Sequence, residues 1–318
     1  MEYKIDIVVN KSSSGKYMER FLKSLDNQEY RNFRILIVEH IDGFTHTDED
    51  TREIVYKDKP GKILLIRCGL QDNGWKIAYN KLDCNYVIFA DEKCQFYKDS
   101  LSQINERLNE RWIHMLEFNY HMISKGDKRI FGLKEEYIQY NSILDRYVEG
   151  VNTSDVLFNK VIDANFIFEE DFIDEDYFRN KFILAGLFGR VSKYATVTQS
   201  MLTYYDDENE TIPDKASSIL SCENKIFDRI RFRDPSLKRE AALYVCREQI
   251  KLYRYLFVRL KLNKRNNMLM KKQFDKYYEY LKRHERYYES LPEEEKNSLQ
   301  KFYSNKEIFS INRLFTNK

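Results

Sequence analysis

Tyr86-Val87-Ile88-Phe89-Ala90-Asp91-Glu92-Lys93 is the stretch on which the fold turns. Five consecutive apolar residues bounded by polar ones predict a strand buried on both faces, since a half-exposed strand would alternate. Asp91 then stands at the carboxyl end of that strand, where open α/β sheets bind their ligands. Two acids at positions 91 and 93 would suit a divalent cation and a phosphate-bearing ligand. Lys93 takes the second place, so the pair supplies one hard oxygen ligand and one positive charge.

Upstream, Ile5-Asp6-Ile7-Val8-Val9 and Arg34-Ile35-Leu36-Ile37-Val38 are β-rich runs. Between them Tyr17, Phe21 and Leu25 recur at helical spacing after the Ser12-Ser13-Ser14-Gly15 turn, a β-α-β opening. Ile63-Leu64-Leu65-Ile66 predicts a third strand, and a short helix begins at Gly74. This alternation predicts an α/β fold with a mainly parallel sheet flanked by helices. No Gly-x-Gly-x-x-Gly or Gly-x-x-x-x-Gly-Lys loop follows a strand, so neither a dinucleotide fingerprint nor a P-loop is supported.

Downstream, residues 99–124 are expected to be helical around Leu101, Ile104, Leu108 and Ile113, with His114 and His121 on one face. A further strand is expected at Ile130-Phe131-Gly132-Leu133. The acidic run from Glu169 to Asp176 precedes a helix through Phe178, Phe182, Ile183 and Leu187, whose amino-terminal end those acids favour. From about Ser236 the texture becomes that of two or three amphipathic helices. One face carries Ala242, Val245, Leu252 and Leu256, the next Phe274, Tyr277, Tyr278 and Leu281, with a break at Asn263 to Asn267.

Charge divides the chain in the same way. Residues 1–228 carry 30 Lys and Arg against 40 Asp and Glu, whereas residues 229–286 carry 18 against 6, so a net charge of +2 hides a separate basic segment. The expected organisation is a ligand-binding and catalytic domain over 1–228 and a basic, aromatic-rich helical domain over 229–318. The 42 % hydrophobic and 15 % aromatic content excludes general disorder. Five cysteines without a C-x-x-C pair read as free thiols of a reducing compartment. Cys94 has no neighbouring histidine to activate it as a nucleophile. No stretch has the length of a signal peptide's or a membrane span's apolar core, and a cytoplasmic location is expected.

The opening Lys16-Tyr17-Met18-Glu19-Arg20-Phe21-Leu22-Lys23-Ser24-Leu25-Asp26-Asn27-Gln28-Glu29-Tyr30, with its Ser-Leu and Gln-x-Tyr landmarks, resembles the first helix of the family 2 glycosyltransferases. Asn73-Gly74, Asn80, the run from Tyr86 to Asp91, Leu157-Phe158-Asn159-Lys160, Glu175-Asp176 and Tyr204-Tyr205 follow in the family's order, so the likeness covers roughly residues 3–212. It implies a GT-A-like fold and transfer of a sugar from a nucleotide-diphosphate donor, a UDP-sugar, in bacterial capsule or teichoic-acid synthesis. Glu39 matches the acid that contacts the nucleobase, Asp91 the first acid of the Asp-x-Asp element, and Asp176 the general base of inverting members. Asp42, in a turn without the family's regular pattern, is a further donor contact.

Several donor positions depart from the family together. Asn10 replaces the usual proline after the first strand, His40 a second acid, Tyr79 an arginine, and Lys93 the second acid of Asp-x-Asp. The resemblance implies Mn2+ or Mg2+ at Asp91, while Lys93 invites an ammonium in the cation's role, with Lys76 assisting. The plainer readings are a salt bridge from Lys93 to Asp91 or Glu92, Asp176 as a helix-start acid, and Trp75 and Trp112 as packing residues. A catalytically silent glycosyltransferase-like partner or glycopolymer-binding subunit is the alternative function.

The basic segment, with Arg247, Lys251, Arg254, Arg259, Lys271 and Lys272 among Tyr and Phe, suits the anionic inner face of a membrane carrying a lipid-linked acceptor. It equally suits an anionic glycan, the acidic domain, a second copy of the chain or a partner glycosyltransferase. No DNA- or RNA-reading motif accompanies it, which argues against nucleic acid.

Overall fold

The computed structural model describes residues 2–11, 15–44, 51–54, 62–70, 72–124, 126–132, 134–140, 156–172, 179–206, 224–229, 237–259 and 264–304. The chain forms two compact units. The first is Met1–Arg146, Ser154–Asp174 and Arg190–Glu210; the second is Tyr147–Thr153, Glu175–Gly189 and Thr211–Lys318. The division expected at 228/229 follows charge, whereas these units follow packing and place Glu175–Gly189 with the carboxyl-terminal helices.

The first unit is built on β1 (Ile5–Lys11), β2 (Phe33–Ile41), β3 (Thr51–Ile54), β4 (Lys62–Gly69), β5 (Tyr86–Asp91), β6 (Cys94–Phe96), β7 (Met115–Ser124), β8 (Asp127–Phe131), β9 (Glu136–Gln139), β10 (Lys160–Asp163) and β11 (Lys193–Asp206). They form one sheet in the order β3-β4-β2-β1-β5-β10-β7-β11-β6, with β8 on β7 and β9 on β11. The strands β4, β2, β1 and β5 are mutually parallel, as the apolar runs predict. Beyond β5 the sheet is mixed. The short β10 runs antiparallel between β5 and β7, and β7 pairs parallel with β11. Four residues are too few to announce a strand by periodicity, which is why the sequence suggested a more uniform sheet.

Residues Tyr86 to Ala90 are none of them more than 4 % exposed, as a strand between two neighbours requires. The helix α1 (Met18–Asp26) buries Met18, Phe21, Ser24 and Leu25; Phe21 and Leu25 belong to the expected stripe, whereas Tyr17 stands just before the helix and is only partly buried. Its polar landmarks are structural. Ser24 Oγ accepts from the Phe96 N–H at 3.1 Å, and Gln28 donates to the Tyr97 carbonyl at 2.6 Å and accepts from the Leu101 N–H at 3.1 Å. These bonds satisfy buried backbone groups where α1 meets β6 and α3 (Ser100–Glu110).

Residues 99–124 are not one helix. The helix α3 ends at Glu110 and β7 begins at Met115. Met115, Leu116, Glu117, Phe118, Asn119 and Tyr120 are all buried, so both faces of this strand are covered and the alternation that marks a strand is missing. His114 and His121 therefore do not share a helix face. His114 stacks on Phe166 at 4.0 Å, and His121 Nδ1 lies 2.5 Å from the Tyr97 hydroxyl.

The second unit contains α4 (Arg179–Phe188), a helical stretch at 224–229, α5 (Lys238–Arg259), α6 (Lys264–Arg283), α7 (Glu285–Ser290) and α8 (Glu293–Ser304). The helix α6 begins at Lys264, so Lys264 to Asn267 of the expected break lie inside it, and Asn263 lies outside the described residues. Phe274, Tyr277, Tyr278 and Leu281 form the buried face of α6. Lys181 pairs with Glu248, tying α4 to α5, and the Arg247 fork grips Glu295, tying α5 to α8. Among the described residues, no helix is long and apolar enough to cross a membrane.

Candidate functional site

The parallel register brings the strands' carboxyl ends into one row. Asn10 stands opposite Asp91 on β5 and Val38 on β2; Lys11 stands opposite Glu39, and Glu39 opposite Arg67. Thus Asn10, Glu39 and Asp91, separated by up to 81 positions in sequence, share one edge of the sheet. Asn10 Oδ1 is shielded from solvent and meets no hydrogen-bond donor. An acceptor in that condition suits a ligand N–H, because an unsatisfied buried carbonyl is costly.

Asp91 Oδ1 accepts the Lys93 backbone N–H at 2.8 Å. This is an Asx-type turn, and it reverses the chain from β5 into β6. Glu92 is buried and Lys93 is half-buried. The β11 residue Tyr205 donates its N–H to the Lys93 carbonyl at 3.1 Å, which fixes the far side of the turn.

Glu39 is engaged by two cations. It accepts from Lys11 Nζ at 2.5 Å and from Arg67 Nε at 3.4 Å. The Lys11 hydrogen bond, ahead of the opposing effect of burial, holds its carboxyl below the usual carboxylate range. Any group approaching Glu39 must therefore share a carboxylate that two cations already engage.

The helix α2 (Gly74–Tyr79) sits close against the same strand ends, with Asn73 Oδ1 capping the Lys76 N–H at 3.1 Å. A Cβ on Gly74 would lie 2.3 Å from Val38 Cγ1 and 3.0 Å from His40 Nε2, so only glycine permits this approach. His40 Nδ1 in turn lies 3.1 Å from the Gly69 carbonyl and 3.4 Å from Cys68 Sγ. It acts as a wedge between β2, β4 and α2. Lys76 pairs with Glu169 at 2.9 Å on an exposed surface, a bond weak enough to yield to a ligand. Asp42 is exposed in the turn after β2, beside Gly43 at φ +69°.

Asp176 lies outside the described residues. Within the described part of its acidic run, Asp171 is not a solvated helix-start acid but a fully buried partner of Arg190. Trp75 stacks on Phe89 at 4.8 Å and is a packing residue. Trp112 is 56 % exposed, with Lys193 Nζ 4.0 Å from its ring centre. Cys94 is completely buried, and burial pushes its thiol well up, which rules out a ready nucleophile. Cys68, Cys84 and Cys246 are likewise free thiols.

Among the described residues, Asp91 with Lys93 does not by itself make up the oxygen set of a divalent cation. One carboxylate oxygen already accepts the Lys93 N–H, the next side chain but one is cationic, and Mg2+ or Mn2+ asks for several oxygen ligands in near-octahedral array. No group of three or more His, Cys, Asp or Glu side chains able to hold a metal ion occurs among the described residues.

Two features escaped the sequence reading. Glu117 and Lys160 form a completely buried ion pair at 3.1 Å, with Tyr194 donating to Glu117 at 2.5 Å and Asn159 at 3.0 Å. A lone acid inside the apolar run from Met115 to Tyr120 was the available signal, since such an acid must find a partner. The other is Arg20, whose guanidinium carbon lies 3.4 Å from the Tyr205 ring centre. No sequence pattern announces a contact between residues so far apart.

No protein-family model and no curated protein matches the chain. Solved structures do. Residues 1–349 of Staphylococcus aureus TarS align with 94 % of this chain and 86 % of theirs, at 13 % identity and a TM-score of 0.64. The same TarS region in complex with UDP-GlcNAc aligns with 87 % of this chain and 81 % of that one, at 12 % identity and a TM-score of 0.61. Against a longer TarS structure the chain spans about half the length, with 94 % of this chain and 52 % of that one covered, at 14 % identity and a TM-score of 0.63. At these identities the likeness is one of fold: an α/β sheet flanked by helices, with a carboxyl-terminal helical region.

Proposed function

We propose that the chain is a family 2-like glycosyltransferase of GT-A type, moving a sugar from a UDP-sugar to a cell-surface polysaccharide or lipid-linked acceptor by an inverting displacement. The observation that carries this reading is the row of Asn10, Glu39 and Asp91 at the carboxyl ends of parallel strands, in a fold like that of a protein crystallised with UDP-GlcNAc. Asn10 and Glu39 meet the nucleobase, Asp42 contributes a further donor contact, and Asp91 faces the ribose. As the acceptor oxygen bonds to the anomeric carbon, Asp176 takes the hydroxyl proton and the bond to the diphosphate oxygen breaks. Lys93, with Lys76 once freed from Glu169, balances the charge that develops on the departing diphosphate. The basic helical segment holds the protein beside an anionic membrane or glycan.

The test is transfer and donor hydrolysis across a panel of nucleotide sugars, with and without Mn2+, beside Asp176→Asn and Lys93→Ala. Transfer that Asp176→Asn abolishes while UDP binding persists is the expected result. Absence of turnover with every donor, together with absence of nucleotide binding by calorimetry, overturns the reading. The pairing of Glu39 with both Lys11 and Arg67 favours one second reading, a silent donor site in a partner subunit. That reading expects nucleotide binding without turnover.

A further inference from the structure

Two arginine forks among the described residues are filled on their Nε/Nη2 edge. Arg34 grips Asp6 with its Nε at 2.8 Å and its Nη2 at 2.5 Å, and the same edge of Arg247 grips Glu295. Arg20 presents the same edge differently. Its Nε and Nη2 are both shielded from solvent, and neither reaches a hydrogen-bond acceptor. Two shielded donors on a cation are an expensive arrangement for a fold to keep for its own sake, because each forfeits a charge-assisted bond.

The plane of that guanidinium is held by aromatic rings. Its Cζ lies 3.4 Å from the centre of the Tyr205 ring and 4.9 Å from that of Tyr17. Tyr205 is itself fixed at both ends, donating its N–H to the Lys93 carbonyl at 3.1 Å and its hydroxyl to Gln95 Oε1 at 2.9 Å. The Lys93 N–H goes to Asp91. Arg20 on α1 is thereby anchored to the very turn that closes β5.

We propose that Arg20 is a substrate-binding residue whose Nε/Nη2 edge receives an oxyanion with two coplanar oxygens, a phosphate or a carboxylate, beside the Asp91–Lys93 turn. The rings fix the direction of the fork before the ligand arrives, so a lysine of equal charge does not replace it. The oxyanion belongs either to the donor's diphosphate or to an anionic acceptor. That it is a substrate group rests on the function proposed above; the anion site itself does not.

Calorimetric titration of the full chain with inorganic phosphate, pyrophosphate, acetate and UDP, repeated for Arg20→Lys, Arg20→Gln and Tyr205→Leu, tests this. At least about a tenfold loss of affinity for phosphate, pyrophosphate or acetate is expected in both Arg20 variants, the loss of one charged bidentate contact. A parallel loss for UDP assigns the oxyanion to the donor, and unchanged UDP affinity assigns it to the acceptor. Retention of wild-type anion affinity by Arg20→Gln, with an unaltered circular-dichroism melt, overturns the proposal, as does failure of the wild-type chain to bind any of the three small anions. Should the Arg20 variants unfold, Tyr205→Leu decides, because it releases the fork and leaves the charge. Anion binding without UDP binding would sustain this site while removing the nucleotide-sugar reading.

Discussion

The Lys160 ammonium lies 3.1 Å from the Glu117 carboxylate, and both side chains are fully buried between β7 and β10. Lys160 also donates to the Val156 carbonyl at 2.7 Å and Asn159 Oδ1 at 3.0 Å, so each of its three protons has an acceptor. A buried pair contributes little net stability when intact, but loss of one partner strands a charge. Lys160→Met is expected to cost about 3–5 kcal/mol, read as a lowered urea midpoint. Glu117→Gln with Lys160→Met should cost less than Lys160→Met alone, since no charge then stays buried. A single-variant cost below about 1 kcal/mol would show that water reaches the pair.

Gly74→Ala tests the close approach of α2 to the strand ends. The added Cβ would come within 2.3 Å of Val38 Cγ1, so either β2 or the helix has to move. Overpacking of this kind costs about 1–3 kcal/mol. Because α2 borders the row of Asn10, Glu39 and Asp91, the expected outcome is a lowered melting temperature and weaker nucleotide binding together. A melt unchanged within error would mean that the approach is easily relaxed.

Glu39 sets a pH dependence. Its folded carboxyl titrates below its unfolded value, chiefly through the Lys11 hydrogen bond. The contribution to stability is therefore complete above the unfolded value and is lost as pH falls through the lower folded one. Lys11→Met should move the Glu39 midpoint up, and Arg67→Met should move it less. Carbon-detected NMR titration of the carboxyl group checks both, and a wild-type midpoint at or above the ordinary value contradicts the assignment.

How much of this was legible depends on whether a feature is local. Ile5 to Val9, Arg34 to Val38, Ile63 to Ile66 and Tyr86 to Ala90 announce themselves because each is a short apolar run closed by polar residues, and the structure contains all four strands. The run from Met115 to Ser124 misleads for the same reason in reverse: Glu117 and Asn119 break an apolar run that tertiary partners later complete. Ser24 and Gln28 were recognisable as landmarks, but their task, satisfying the backbone of β6 and α3, appears only once those elements meet. Arg20 is harder still. Its significance lies in what its fork does not touch, and a sequence carries no record of that.

Lys93 bears on whether the site turns over. If its ammonium balances the leaving diphosphate, Lys93→Ala should lower kcat by about 10²–10³-fold, the usual cost of removing one preorganised charge-stabilising group. KM for the donor should change far less, because the charge develops mainly in the transition state. Lys93→Asp is the sharper variant. It recreates two acids at the spacing that suits a divalent cation. Activity without added metal in the wild-type chain, and activity that appears only with Mn2+ in Lys93→Asp, is the expected pair of results. Mn2+-stimulated transfer by the wild-type chain, with Lys93→Ala fully active, would instead show that the ammonium plays no part in departure of the diphosphate.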